Sequence, residues 1–103
     1  MKIIEMNIDK IAALCRKYKV AKLWVFGSIL TPRFNDRSDI DFSVNFDEQT
    51  INSEKLDWAD IFFDFIAELE ALMGRRIDLV CDDSVKNPIF RKELDSTKML
   101  IYG

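Results

Sequence analysis

A chain of 103 residues, 49% hydrophobic and 12% aromatic, has the size and composition of one globular domain with a single core, and leaves no room for a separate substrate-binding domain. A net charge of −3 argues against direct nucleic-acid binding, and the absence of histidine excludes His-based triads, HExxH zinc chemistry and imidazole general bases. The N-terminus has no signal-peptide pattern and no apolar run approaches the length of a membrane span, so the chain reads as cytoplasmic.

Residues 1–6 read as a short lead-in. Asn7 is a plausible N-cap for a helix over 8–19, where Ile8, Ile11, Ala12, Leu14, Cys15 and Tyr18 recur at helical spacing. Residues 22–26 follow as a strand. The unbroken apolar run Leu23-Trp24-Val25-Phe26 predicts burial on both faces and an interior place in a sheet. Residues 28–38 read as a short helical turn and a polar loop, broken by Pro32 and carrying turn chemistry at Asn35-Asp36. Arg33 and Arg37 lie in this loop, where solvated surface and contacts to a phosphate chain are equally good readings. Residues 39–46 alternate cleanly, with Asp39, Asp41, Ser43 and Asn45 on one face and Ile40, Phe42, Val44 and Phe46 on the other.

After a loop over 47–52, a long helix is predicted from about Ser53 to Met73, capped by Asn52 or Ser53 and ended by Gly74. Its apolar residues form two rows. One is Leu56, Ala59, Phe63, Ile66 and Met73; the other is Trp58, Phe62, Phe65, Leu69 and Leu72. That is wider than one sheet requires, so the helix is either deeply packed or offers part of its aromatic surface to another chain. Asp57, Asp60, Asp64 and Glu68 form an acidic ridge, read as a solvated face or a surface for a basic partner. Residues 77–81 form a short apolar strand interrupted by Asp78. A turn over 82–87 leads to a last helix capped by Asn87, with Pro88 at its first position and an end near Asp95. Met99 to Tyr102 closes as a final strand or an apolar tail. Cys15 and Cys81 show no metal spacing and read as two reduced thiols. This order of elements predicts a small α/β (α+β) domain over residues 1–103: a mixed sheet with helices on one face and the acids on the other.

The chemistry concentrates in Gly27-Ser28, ten intervening residues, and Asp39-Ile40-Asp41. Residues i and i+2 of a strand share a face about 6.6 Å apart along it, so two carboxylates can converge on a hard cation such as Mg²⁺. Gly27 lets backbone approach a phosphate closely, and Ser28 adds an N–H and a hydroxyl. This pattern, with an acid in the later strand, resembles the signature of the DNA-polymerase-beta-like nucleotidyltransferases. The small size is similar to their minimal nucleotidyltransferase branch, often the antitoxin of a pair with a HEPN-domain toxin.

The resemblance implies Asp78 as the third catalytic carboxylate, with Asp39, Asp41 and Asp78 also the ligands of two Mg²⁺. It implies Gly27 and Ser28 on the phosphates of a nucleoside triphosphate, expected to be ATP, with Arg33 and Arg37 as further candidates. The expected acceptor is a hydroxyl, a tyrosine of a cognate HEPN toxin. Where many relatives carry arginines directly after the Gly-Ser pair, this chain has Ile29, Leu30 and Thr31. Two alternatives stay open: a non-catalytic module neutralising its partner by contact, and transfer to a small molecule as in aminoglycoside nucleotidyltransferases. A homo-oligomer is compatible with the composition.

Overall fold

The computed structural model describes all of residues 1–103. Helix α1 spans Lys2–Lys17, strand β1 Val20–Phe26, a 3-10 turn Gly27–Leu30, strand β2 Ile40–Phe46, helices α2 Glu48–Ser53 and α3 Trp58–Met73, strand β3 Ile77–Cys81, helix α4 Pro88–Thr97 and strand β4 Met99–Tyr102. The sheet order is β3-β2-β1-β4, with β2–β3 parallel and the other two pairings antiparallel. The apolar run of β1 therefore takes an interior position, as its composition predicts.

One face of the sheet carries Leu23 and Val25 of β1, Ile40, Phe42 and Val44 of β2, and Ile77 of β3. Against them pack Ile4, Ile11 and Cys15 of α1 and Phe65, Leu69 and Met73 of α3. Each large apolar side chain buried there contributes about 1.5–3 kcal/mol relative to exposure. Both cysteines are free, and burial pushes the Cys15 thiol up to about 12, which keeps it protonated and inert. No helix is long and apolar enough to cross a membrane.

Several sequence expectations change. The first helix begins at Lys2 rather than at residue 8, because Ile4 is buried in the same stripe as Ile11 and Cys15. Asn7 is not a cap; it sits inside the helix, and its Nδ2 donates to the Ile3 carbonyl at 2.8 Å. The stretch expected as a loop over 47–52 is helix α2, capped by Asp47 through the Thr50 N–H, and the helix expected from Ser53 starts only at Trp58, where Asp57 caps α3 through the N–H groups of Ala59 and Asp60. Lys55, at φ 55°, turns the chain between them, and Gly74, at φ 67°, ends α3 as expected. The buried stripe of α3 is Ile61, Phe65, Leu69 and Met73, which cuts across both predicted rows and leaves Trp58 and Phe63 exposed. Glu68 leaves the acidic ridge by meeting Lys17 at 2.9 Å and accepting from the Tyr18 hydroxyl.

Helices α1 and α3 lie on one face, as the element order predicts. Helix α4 adds partial cover to the other. Its Phe90 packs on Phe26 with ring centroids 6.0 Å apart, and Lys98 just beyond it lies 4.2 Å from the centre of Trp24. Trp24 and Phe26 alternate with the core residues of β1 and so belong to the same face as Asp41 and Ser43.

Candidate active site

Strand pairing brings the acids together. Asp41 is the register partner of Asp78 across the parallel β2–β3 pair and of Phe26 across β1–β2. Because β1 ends at Phe26, the next residue, Gly27, falls directly under the Asp41 carboxylate. A Cβ on Gly27 would lie 2.2 Å from Asp41 Oδ2, and the backbone there has φ +80°. Both the contact and the dihedral require glycine at this position.

Asp39 lies just before β2, and Asp78 is exposed on the edge strand β3. The Asp41 carboxyl is pushed up to about 6, first by burial, then by the charge and hydrogen bond of Asp78, then by the charge of Asp39. None of the three carboxylates is in an ion pair. As the side chains stand, they do not close into a ready-made group of three metal ligands. The donor set is nonetheless all carboxylate oxygen with no cation of its own, which suits a hard divalent ion.

The other predicted residues lie on the connection from β1 to β2. Ser28 follows in the 3-10 turn, where its carbonyl accepts from the N–H and hydroxyl of Thr31. Ile29 is buried in the core, which accounts for an apolar residue directly after the Gly-Ser pair. Arg33 and Arg37 are exposed on the loop, and no ion pair joins them to the acids. Beside Gly27 lies a cavity of about 360 Å³, walled by Phe26, Leu30, Phe90 and Leu94 with Thr31 and Glu93 at its polar side.

Sequence reasoning missed two features. Asp82, assigned to a turn, is buried and accepts from Ser43 Oγ at 2.7 Å, Lys98 Nζ at 2.9 Å and Arg91 Nη2 at 2.9 Å. It opens the 3-10 turn directly after β3, and through Ser43, Arg91 and Lys98 it ties the α4 end of the chain to β2, two residues along from Asp41. No local pattern marks it, because its partners lie 39, 16 and 9 residues away. The second is Arg75, whose guanidinium reaches the loop before Asp39.

Comparison with known proteins agrees with this architecture. A family model for polymerase beta nucleotidyltransferases matches residues 9–103. The Methanocaldococcus jannaschii protein MJ1379, named as a proposed protein adenylyltransferase, is 34% identical over 86 residues, covering 84% of this chain and 79% of that one. MJ0128 of the same organism, similarly named, is 35% identical over 89 residues, covering 86% and 82%. Among solved structures, one described as a proposed minimal nucleotidyltransferase superposes with a TM-score of 0.72 at 21% identity, covering 95% of this chain and 92% of its own. A toxin–antitoxin complex with AMP-PNP superposes at 0.70 and 22% identity, over 94% and 73%. The sheet order, the acids on neighbouring strands and the near-complete family match together make this chain a member of the polymerase beta nucleotidyltransferase family.

Proposed function

We propose that the protein is a magnesium-dependent adenylyltransferase that moves AMP from ATP to a tyrosine hydroxyl of a cognate HEPN-domain toxin, and so acts as its antitoxin. The observation that carries this reading is Asp41 over Gly27, paired in register with Asp78 and within reach of the charge of Asp39, with no basic partner for any of the three. The three aspartates would hold two Mg²⁺, which when bound supply positive charge against the triphosphate and the departing pyrophosphate. Gly27, lacking a side chain, lets the phosphates approach the backbone, and Ser28 offers a hydroxyl beside them. Arg33 and Arg37, exposed on the loop, would add positive charge toward the phosphates. The apolar walls of the neighbouring cavity suit the nucleobase. Asp78, the exposed member of the three, takes the proton from the acceptor hydroxyl, whose oxygen bonds to the α-phosphorus as the bond to pyrophosphate breaks. The naming of MJ1379 supports a protein acceptor, and the AMP-PNP in the toxin–antitoxin neighbour supports ATP and a toxin partner.

The test incubates the protein with ATP, Mg²⁺ and the product of the adjoining gene, and reads the partner's intact mass. The expected result is an increase by one or more AMP groups that needs Mg²⁺ and disappears with Asp39→Ala. A partner of unchanged mass with the wild-type protein overturns the reading. Neutralisation by contact alone is a second reading, favoured by the apolar Ile29 and Leu30 after Ser28. Toxin neutralisation that survives Asp39→Ala selects it.

A further inference from the structure

The ten-residue connection between Ser28 and Asp39 has to deliver a carboxylate to a defined place, yet most of its own hydrogen bonds are local. Thr31 bonds back to Ser28, Asn35 Nδ2 to the Arg33 carbonyl, the Arg37 N–H to Asn35 Oδ1, and the Ser38 N–H to the Asn35 carbonyl. Such bonds shape the loop without fixing where it sits on the domain.

Ile29 in the core, with Leu30 and Phe34 packed against it, holds the apolar side of the connection, and one side chain from a distant element holds its backbone next to Asp39. Arg75 follows the left-handed Gly74 that ends α3, so it stands at a rigid corner between a packed helix and β3. Its Nη1 donates to the Asn35 carbonyl at 3.0 Å and to the Ser38 carbonyl at 2.9 Å, and its guanidinium lies 4.7 Å from the centre of the Phe34 ring. The Ser38 carbonyl belongs to the peptide that leads into Asp39. The next residue, Arg76, accepts from the Ile40 N–H at 3.1 Å through its carbonyl, so adjacent residues of one corner hold the chain on both sides of Asp39. A guanidinium suits this task because it is planar, always charged and able to bond two carbonyls while stacking on a ring.

We infer that Arg75 is a positioning residue for nucleotidyl transfer: it fixes the loop so that Asp39 stands beside Asp41 when metal and triphosphate arrive. The inference rests on the proposed function and deepens it. Arg75 touches no reacting atom; it acts through the Ser38–Asp39 peptide.

The test compares wild type with Arg75→Ala and Arg75→Lys in three measurements below their melting temperatures: amide hydrogen exchange of Ser38 and Ile40, the hydrogen-bonded amides on either side of Asp39, without ligand, the Mg²⁺ concentration that half-saturates ATP binding by calorimetry, and the rate of AMP transfer. Arg75→Ala is expected to speed exchange at these amides at least tenfold, raise the half-saturating Mg²⁺ at least tenfold, and recover in part when millimolar guanidinium is added. Arg75→Lys, which keeps one charged donor but not the planar bridge, is expected to lie between. It serves as the test if the alanine variant does not fold, with at least a threefold rise in half-saturating Mg²⁺. Variants that lose melting temperature but keep wild-type Mg²⁺ dependence and exchange show a merely structural arginine and overturn the inference, leaving the proposed function standing. A wild-type protein that binds no Mg-ATP overturns both.

Discussion

Two aspartates on the same face of the sheet have opposite fates. Asp41 and Asp82 both sit against the β2 polar row, and Asp82 bonds to Ser43, two residues along from Asp41. Burial disfavours the charge of each. Around Asp82 this is outweighed by donors from Lys98, Ser43 and Arg91, which hold its carboxyl below the usual range. Around Asp41 the neighbours are Asp78 and Asp39, which add to the burial and hold it well above that range. The charge of Asp82 is fully answered from within the chain and is structural. That of Asp41 is left open, and an open charge beside two others is a place made for something from outside.

The contrast is sharpest in paired substitutions. Asp41→Asn is expected to cut AMP transfer about a thousandfold, equivalent to about 4 kcal/mol of transition-state stabilisation. The same change should stabilise the metal-free fold by on the order of 1–2 kcal/mol, since it removes a repelled charge. Asp82→Ala should do the reverse: about 3 kcal/mol lost in urea denaturation, because Lys98 and Arg91 lose their buried partner. Its effect on transfer, measured well below the melting point, should be far smaller than that of Asp41→Asn. If Asp41→Asn destabilises the metal-free protein as much as Asp82→Ala does, the comparison fails.

The pH dependence of stability in metal-free buffer gives the smallest but most direct signal. The usual aspartate value is 3.8, and the folded value of Asp41 is about 6, so the native state holds the extra proton and stability falls as pH rises from about 4 to 6. The folded Asp82 value lies below 3.8, so its contribution is complete above about pH 4 and is lost as pH falls through the folded value. Asp41→Asn should flatten the first limb and Asp82→Asn the second, as read from urea midpoints across pH. Saturating Mg²⁺ should also flatten the first limb.

The acidic pair was legible because an aspartate inside a strand contradicts β-propensity, and alternation alone puts Asp39 and Asp41 on one face. Asp78 stood out as the one acid of an apolar strand, and the family resemblance supplied its place beside the other two. The break between α2 and α3 was not, although its signals are local. Asp47 and Asp57 each precede a first turn, but Leu56, Ala59 and Phe63 keep a helical spacing across the gap and mask the second cap. Arg75 and Asp82 left no trace in the pattern, since a doubled arginine after a helix and an aspartate after a strand are both ordinary surface residues until their partners are known.

The sequence by itself determined β1, β2 and β3, the faces of those strands and the residue types at the centre, because periodicity and propensity act over a few neighbouring residues, and it left Met99–Tyr102 open between strand and tail. Only the tertiary structure decided that Asp41 rests on Gly27 and faces Asp78, that Asp82 is answered by Ser43, Lys98 and Arg91, and that Arg75 reaches the loop before Asp39. Those relations depend on which strands pair and on where each helix ends. Both are set by the burial of the whole apolar surface at once, and no short segment carries that information.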